Sequence, residues 1–176
     1  KEFGAHYKSA KVDYAIETTP LGTGGGLLLS QKKLLSPEPF LVLNGDTFFN
    51  IKRNEILNYH SNNAADMTLS LFKISPNSRY NPALLDNDGF LSSLEKPSKT
   101  SKSSWANGGV YLMEPDLLNE YQNYPPKKYS LEDELLPDLI KNKKRIAGFI
   151  SQGDFIDIGL PDDYRRAKEI LSRSYN

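Results

Sequence analysis

The sequence predicts an α/β fold on one sheet, parallel at its centre and with an antiparallel portion. Three observations predict it. Strand and helix patterns alternate through the first part of the chain. Strand patterns dominate the middle. The run Phe40–Leu43 (FLVL) is apolar without interruption, as expected of a strand covered on both faces.

Taken in order, residues 12–17 (VDYAIE) have strand character. Residues 23–35 (TGGGLLLSQKKLL) form a helical pattern that stops at Ser36-Pro37, because the residue before proline disfavours helix. Phe40–Leu43 is the next strand, and residues 52–61 the next helix. Residues 67–74 (MTLSLFKI) alternate apolar and polar and read as a strand. The turn Asp86-Asn87-Asp88-Gly89 leads into a strand over 90–95. Residues 97–104 (PSKTSKSS) are a polar loop, and 109–113 (GVYLM) a further strand. A helix over 130–142 opens on Ser130 and Asp133, a capping-box pair with Asp in place of Glu. Short strands over 145–151 and 155–158 flank Gln152-Gly153-Asp154. The closing helix over 161–172 has proline in its first turn and Asp162 and Asp163 at the positive end of its dipole.

The 176 residues are enough for one domain, 1–176, with a sizeable core. The 22 basic and 22 acidic residues cancel, which excludes a broad nucleic-acid surface. There is no cysteine, so disulfides and thiolate metal sites are excluded. The apolar runs are too short to span a bilayer, and no signal-peptide pattern opens the chain. A soluble cytoplasmic protein is the expectation, with no nucleic-acid or membrane partner.

Candidate chemistry begins with Asn44-Gly45-Asp46, at the end of the apolar strand. In open α/β sheets ligands bind beyond the carboxyl ends of parallel strands, and a carboxylate there can hold a divalent ion against a polyphosphate. Asn-Gly-Asp is equally ordinary turn chemistry. Asp157 lies within an apolar strand (FIDIG) and needs a partner there: a metal, a cation or backbone donors from the turn at Gly159. Asp46 and Asp157 together could hold magnesium, which takes few protein carboxylates and fills its shell with phosphate oxygens and water.

The glycine-rich stretch 21–26 (LGTGGG) lacks the Lys-Ser/Thr ending of a P-loop, and the third glycine of a dinucleotide fingerprint would fall on Leu27. A flexible turn and a close backbone approach to a ring or phosphate both remain open. Glu95-Lys96 ends a strand, where lysine offers a point charge for phosphate and glutamate accepts from sugar hydroxyls. Asn107-Gly108-Gly109 can place backbone amides against a ligand, and Glu132 lies in the first turn of its helix. His6 and His60 have no metal spacing.

In order along the chain, five motifs resemble the sugar-1-phosphate nucleotidyltransferases. They are ETTPLGTGG (17–25), LNGD (43–46), EKP (95–97), NGGVY (107–111) and FIDIGLPDDY (155–164). The NGDTFF run and the FIDIG ending look most like the heptose-1-phosphate guanylyltransferases, with mannose-1-phosphate guanylyltransferases next. The resemblance implies a Rossmann-like mixed sheet of the nucleotide-diphospho-sugar transferase type. It implies attack of a sugar 1-phosphate on the α-phosphorus of a nucleoside triphosphate, GTP by subfamily, with pyrophosphate leaving. Carried onto this chain, Asp46 and Asp157 hold Mg2+ and Lys96 the sugar phosphate. Glu95, Asn107, Gly108 and Glu132 face the sugar, while Leu21, Gly22, Thr23, Gly24, Asn44 and Gly45 border the nucleotide.

One departure stands out. The family's Gly-x-Gly-Thr-Arg-Leu triphosphate loop has no match, so the fold is expected to be incomplete at its N-terminus and the chain part of a longer protein. The strand Phe40–Leu43 would then expose ladder groups, favouring a homo-oligomer. A smaller departure is Asn81, where the family has glycine after the tyrosine. The alternative reading is a non-catalytic sugar-nucleotide binding or regulatory module.

Overall fold

The computed structural model describes residues 4–34, 37–75, 78–96, 103–121 and 128–174. In chain order, a hairpin of β1 (His6–Tyr7) and β2 (Ala10–Lys11) precedes helix α1 (Gly22–Gln31). Then come β3 (Phe40–Leu43), β4 (Thr47–Phe49), α2 (Arg53–Asn62), β5 (Met67–Lys73), β6 (Ala83–Leu85), β7 (Leu91–Leu94) and β8 (Trp105–Met113). A 3-10 segment (Pro115–Tyr121) and a π-helical turn (Leu131–Leu135) lead into α3 (Leu136–Lys141). The chain closes with β9 (Ile146–Ile150), β10 (Phe155–Asp157) and α4 (Pro161–Ser174).

The main sheet has the order β3-β8-β5-β9. It is mixed, as the sequence predicts, but its parallel pairing is not central. Strand β8 inserts between β3 and β5 and runs antiparallel to both, leaving β5 and β9 as the parallel pair. Three layers result. Leu27 of α1 and Leu136 and Leu139 of α3 cover one face of the sheet, against Met67, Leu69, Leu71, Tyr111 and Met113. Ile56 of α2 covers the other, against Leu112 and Phe149.

The strand covered on both faces is β5, not β3. Leu41 and Leu43 of β3 are 42% and 63% exposed, and only Phe40 and Val42 pack on the core. Among the described residues β8 is the only strand paired with β3. In β5 the alternating polar residues Thr68 and Ser70 are fully buried because both hydroxyls are bonded. Ser70 Oγ accepts the Val110 N–H at 3.2 Å. Thr68 Oγ1 is hydrogen-bonded to Nδ1 of buried His60 at 2.8 Å. The other ring nitrogen, Nε2, carries the proton, since it lies 3.1 Å from an acceptor-only carboxylate oxygen, Glu114 Oε1. This chain of bonds pins α2 to the sheet. His60→Ala is expected to cost about 3 kcal/mol, from a cavity plus an unpaired Thr68 hydroxyl. Urea unfolding would read that loss as a lower midpoint at unchanged slope.

Two other expectations shift. Residues 12–17 pair with no described strand and none of them is buried, with Ile16 74% exposed. Glu17 instead accepts the Leu21 N–H at 2.9 Å, ahead of α1. The capping box at Ser130 forms, with Ser130 Oγ accepting the Asp133 N–H at 3.0 Å. Its return arm comes from Glu134, whose Oε2 accepts the Ser130 N–H at 2.8 Å. Most of the polar loop at 97–104 lies outside the described residues.

Strands β4 and β10 pair as a separate antiparallel ribbon following the carboxyl end of β3. Phe49 and Phe155 seat it on an aromatic cluster with Phe72 and Tyr80, in which the Phe72 and Phe155 rings stack at 3.8 Å. The ribbon carries Asp157 as its last residue on β10, and Asp46 stands directly before β4.

Candidate active site

Four side chains from three distant segments lock together in a polar wall. Tyr111, fully buried on β8, donates its phenol to Glu132 Oε1 at 3.0 Å and accepts from Asn107 Nδ2 at 2.6 Å. Thr23 Oγ1 in α1 donates to Glu132 Oε2 at 3.2 Å while accepting the Leu131 N–H at 2.9 Å. Asn107 Oδ1 accepts the Gly109 N–H at 2.9 Å, which fixes the amide's orientation. Each carboxylate oxygen of Glu132 is thus held by one protein donor and keeps capacity for another. Asn107 keeps one N–H. Burial pushes the Tyr111 phenol far up, reinforced by the Glu132 charge, so it remains a donor at any working pH.

Glycines let the backbone close around this wall. Gly109 sits at φ +72°, where a Cβ would meet Thr47 Oγ1 at 2.6 Å and Asn44 Nδ2 at 3.0 Å. At Gly108 a Cβ would strike the Phe49 ring at 2.4 Å. The glycines at 22–25 serve packing in the same way. The N–H groups of Gly24 and Gly25 donate to Tyr129 O at 2.9 and 3.0 Å. A Cβ at Gly22, φ +74°, would lie 2.8 Å from that oxygen. The start of α1 is therefore closed by residues 129–131, and Thr23 faces Glu132.

The wall adjoins a hollow of about 700 Å3 lined by Thr23, Asn44, Gly45 and Asp46, with Leu131 and the residues of β3. Asn44 is anchored through its N–H to Gly109 O at 2.9 Å, and Asp46 O accepts the Ile158 N–H at 2.9 Å. Asp157 pairs in register with Thr47, so residues 46 and 157 stand side by side in the backbone despite their separation in sequence. Their carboxylates front different spaces. Asp46 borders the hollow just described, and Asp157 lines a second one of about 720 Å3 with Lys73, Tyr80, Trp105, Asp163 and Arg166.

Both non-metal partners considered for Asp157 are present. Its Oδ1 accepts the Gly159 N–H at 2.8 Å, and its Oδ2 lies 3.2 Å from Arg79 Nη2. The hydrogen bond from the same guanidinium lowers the Asp163 carboxyl from its ordinary value. Glu95 is fixed by its N–H to Pro82 O at 2.8 Å, and Lys96 is exposed beyond β7.

No group of three or more metal-ligating side chains occurs among the described residues. Asp46 and Asp157 each stand at a strand end and border different hollows, and an ion that takes most of its shell from phosphate and water needs few protein ligands. Asp157 Oδ2 already faces a cationic group. Sequence reasoning missed Tyr111 and Arg79. Tyr111 had a signal, since residues 107 and 111 share one strand face by the two-residue period. Arg79 had none, lying 78 residues from Asp157.

A sequence model of the nucleotidyl transferase family matches residues 1–174. The chain is 34% identical over 169 residues to the D-glycero-alpha-D-manno-heptose 1-phosphate guanylyltransferase of Aneurinibacillus thermoaerophilus, covering 96% of this chain and 71% of that one. It is 33% identical to the mannose-1-phosphate guanylyltransferase catalytic subunit beta of Drosophila pseudoobscura pseudoobscura, covering 86% of this chain but only 40% of the relative. The crystal structure of HddC from Yersinia pseudotuberculosis superposes with a TM-score of 0.77 at 29% identity, covering 93% of this chain and 68% of that one. The same protein complexed with GMP-PN gives 0.75 at 30%, covering 92% and 67%.

Proposed function

The chain belongs to the nucleotidyl transferase family, and from that premise we propose that it serves the synthesis of a nucleotide sugar, GDP-heptose, from GTP and heptose 1-phosphate. The observation that carries the sugar half is the locked wall of Thr23, Asn107, Tyr111 and Glu132. A carboxylate with spare acceptor capacity beside an amide with a spare donor is chemistry for a polyhydroxylated ligand. The nucleotide half is supported by the relative named as a heptose 1-phosphate guanylyltransferase and by the GMP-PN in the HddC complex.

In this reading a sugar 1-phosphate oxygen attacks the α-phosphorus of GTP in line and pyrophosphate leaves. The protein supplies no nucleophile; its work is positioning and charge neutralisation. Glu132 and Asn107 orient the sugar, with Gly108 and Glu95 beside it, and Lys96 holds its phosphate. Residues 21–24 with Asn44 and Gly45 border the nucleotide. Asp46 and Asp157 would hold magnesium, which when bound draws the α-phosphate into place and offsets developing charge. Residues 1–176 act as one domain, in the cytoplasm. No helix among the described residues is long and apolar enough to cross a membrane.

The test is pyrophosphate release from GTP and a panel of sugar 1-phosphates with magnesium. Turnover led by heptose 1-phosphate is expected. Tight binding of GDP-heptose by calorimetry without any turnover would replace this reading with a binding module. A sharper expectation concerns Tyr111→Phe. Removing the phenol leaves Glu132 Oε1 and Asn107 Nδ2 short of a partner, a loss of about 1–3 kcal/mol. The KM for the sugar 1-phosphate should rise roughly tenfold, with the KM for GTP little changed. An equal rise in both would show that the wall does not belong to the sugar.

A further inference from the structure

Arg79 lies outside every motif that carries the family resemblance, yet it is built against Asp157. A single nitrogen, Nη2, faces three oxygens: Tyr80 Oη at 2.6 Å, Asp163 Oδ2 at 2.8 Å and Asp157 Oδ2 at 3.2 Å. A guanidinium nitrogen has two hydrogens and cannot serve three acceptors at full strength. The distances rank them, and Asp157 is served last. The anchor is the other pair. Arg79 Cζ stands 4.7 Å from the centre of the Tyr80 ring. Asp163 is itself fixed through Oδ1, which accepts from Arg166 Nη1 at 3.0 Å. Asp157 does not depend on Arg79 for its orientation, because its Oδ1 is held by the Gly159 N–H.

We propose that Arg79 is a resident counter-cation for Asp157, holding Oδ2 while no divalent ion is present and withdrawing onto Asp163 when one binds. The proposal rests on the assignment of Asp157 as a metal ligand. The exchange breaks only the longest of the three contacts and keeps the arginine charge beside a carboxylate throughout. Its consequence is a brake on the affinity for free metal. The arginine competes for one oxygen and repels a dication at close range, so the ion binds best together with a polyphosphate that adds negative charge of its own. A purely structural clamp predicts the opposite sign: removing it would loosen Asp157 and weaken metal binding.

The test uses Mn2+ alone as the probe, with the free ion followed by its EPR signal during titration into the protein. Arg79→Gln is expected to bind Mn2+ roughly tenfold more tightly than the parent, the Coulomb value for removing one positive charge about 6 Å from a dication in a water-like dielectric. The gain should shrink in high salt and vanish in the Arg79→Gln/Asp157→Asn double variant. Asp163→Asn removes the withdrawal partner and should weaken binding severalfold, so the two variants move in opposite directions. If Asp157→Asn lowers Mn2+ binding while Arg79→Gln leaves it unchanged or weaker, the counter-cation role is overturned and the metal assignment stands. If Asp157→Asn binds Mn2+ as the parent does, both fall.

Discussion

Asp46→Asn is expected to lower pyrophosphate release by roughly a hundred- to a thousandfold, the order of loss when one preorganised electrostatic contact to developing charge is removed. Folding should be unchanged. The backbone at this position is held by its carbonyl, which accepts the Ile158 N–H, and that bond does not involve the side chain. The carboxylate borders the hollow beside the polar wall and makes no hydrogen bond or ion pair among the described residues. Asparagine has the same shape and no charge, so lost activity with an unchanged melting temperature assigns the effect to chemistry. Asp157→Asn is the less clean experiment, because it also disturbs the contact with Arg79. A variant at Asp46 that turns over at the parental rate would remove it from the reaction and take the paired-carboxylate reading with it.

Gly109→Ala is expected to cost about 3 kcal/mol of stability and to disable sugar binding together. Two costs add. The residue holds φ +72°, where a side chain is strained, and its Cβ would press on Thr47 Oγ1 at 2.6 Å and on Asn44. Gly109 also receives the Asn44 N–H on its carbonyl and gives its own N–H to Asn107. Any shift that relieves the clash therefore moves both asparagines. Chemical denaturation should show the lower midpoint, and calorimetry with the sugar 1-phosphate a weakened heat. Parental stability would mean that the turn can relax without the wall.

Part of the arrangement was legible in the sequence. Asp46 and Asp157 stood out because each is a charge delivered by an apolar strand, and the structure sets their backbones side by side. Asn107, Gly108 and Glu132 were named, and Asn107 and Glu132 meet through Tyr111. Thr23 was placed with the nucleotide, and the structure bonds it to Glu132. The glycine-rich stretch allowed a close approach without saying to what. The partner is the backbone of residues 129–131, which no local pattern could indicate.

The sequence by itself determined the main helices and sheet strands, the Ser130 cap, and which residues bear charge at strand ends, because those follow from side-chain period, backbone preference and near neighbours; it missed the short strands His6–Tyr7, Ala10–Lys11, Thr47–Phe49 and Ala83–Leu85, whose pairing is set by their partners. It could not decide which strand is covered on both faces. An apolar run over Phe40–Leu43 and an alternating run over Met67–Lys73 exchange their expected burial, since coverage depends on which strands flank each one and whether buried hydroxyls find acceptors. Tertiary structure alone decided the insertion of β8 between β3 and β5, the bond from Tyr111 to Glu132, and the meeting of Arg79 with Asp157. Each joins residues far apart in the chain, and such pairings are fixed by the packing of whole layers rather than by any signal the two residues carry.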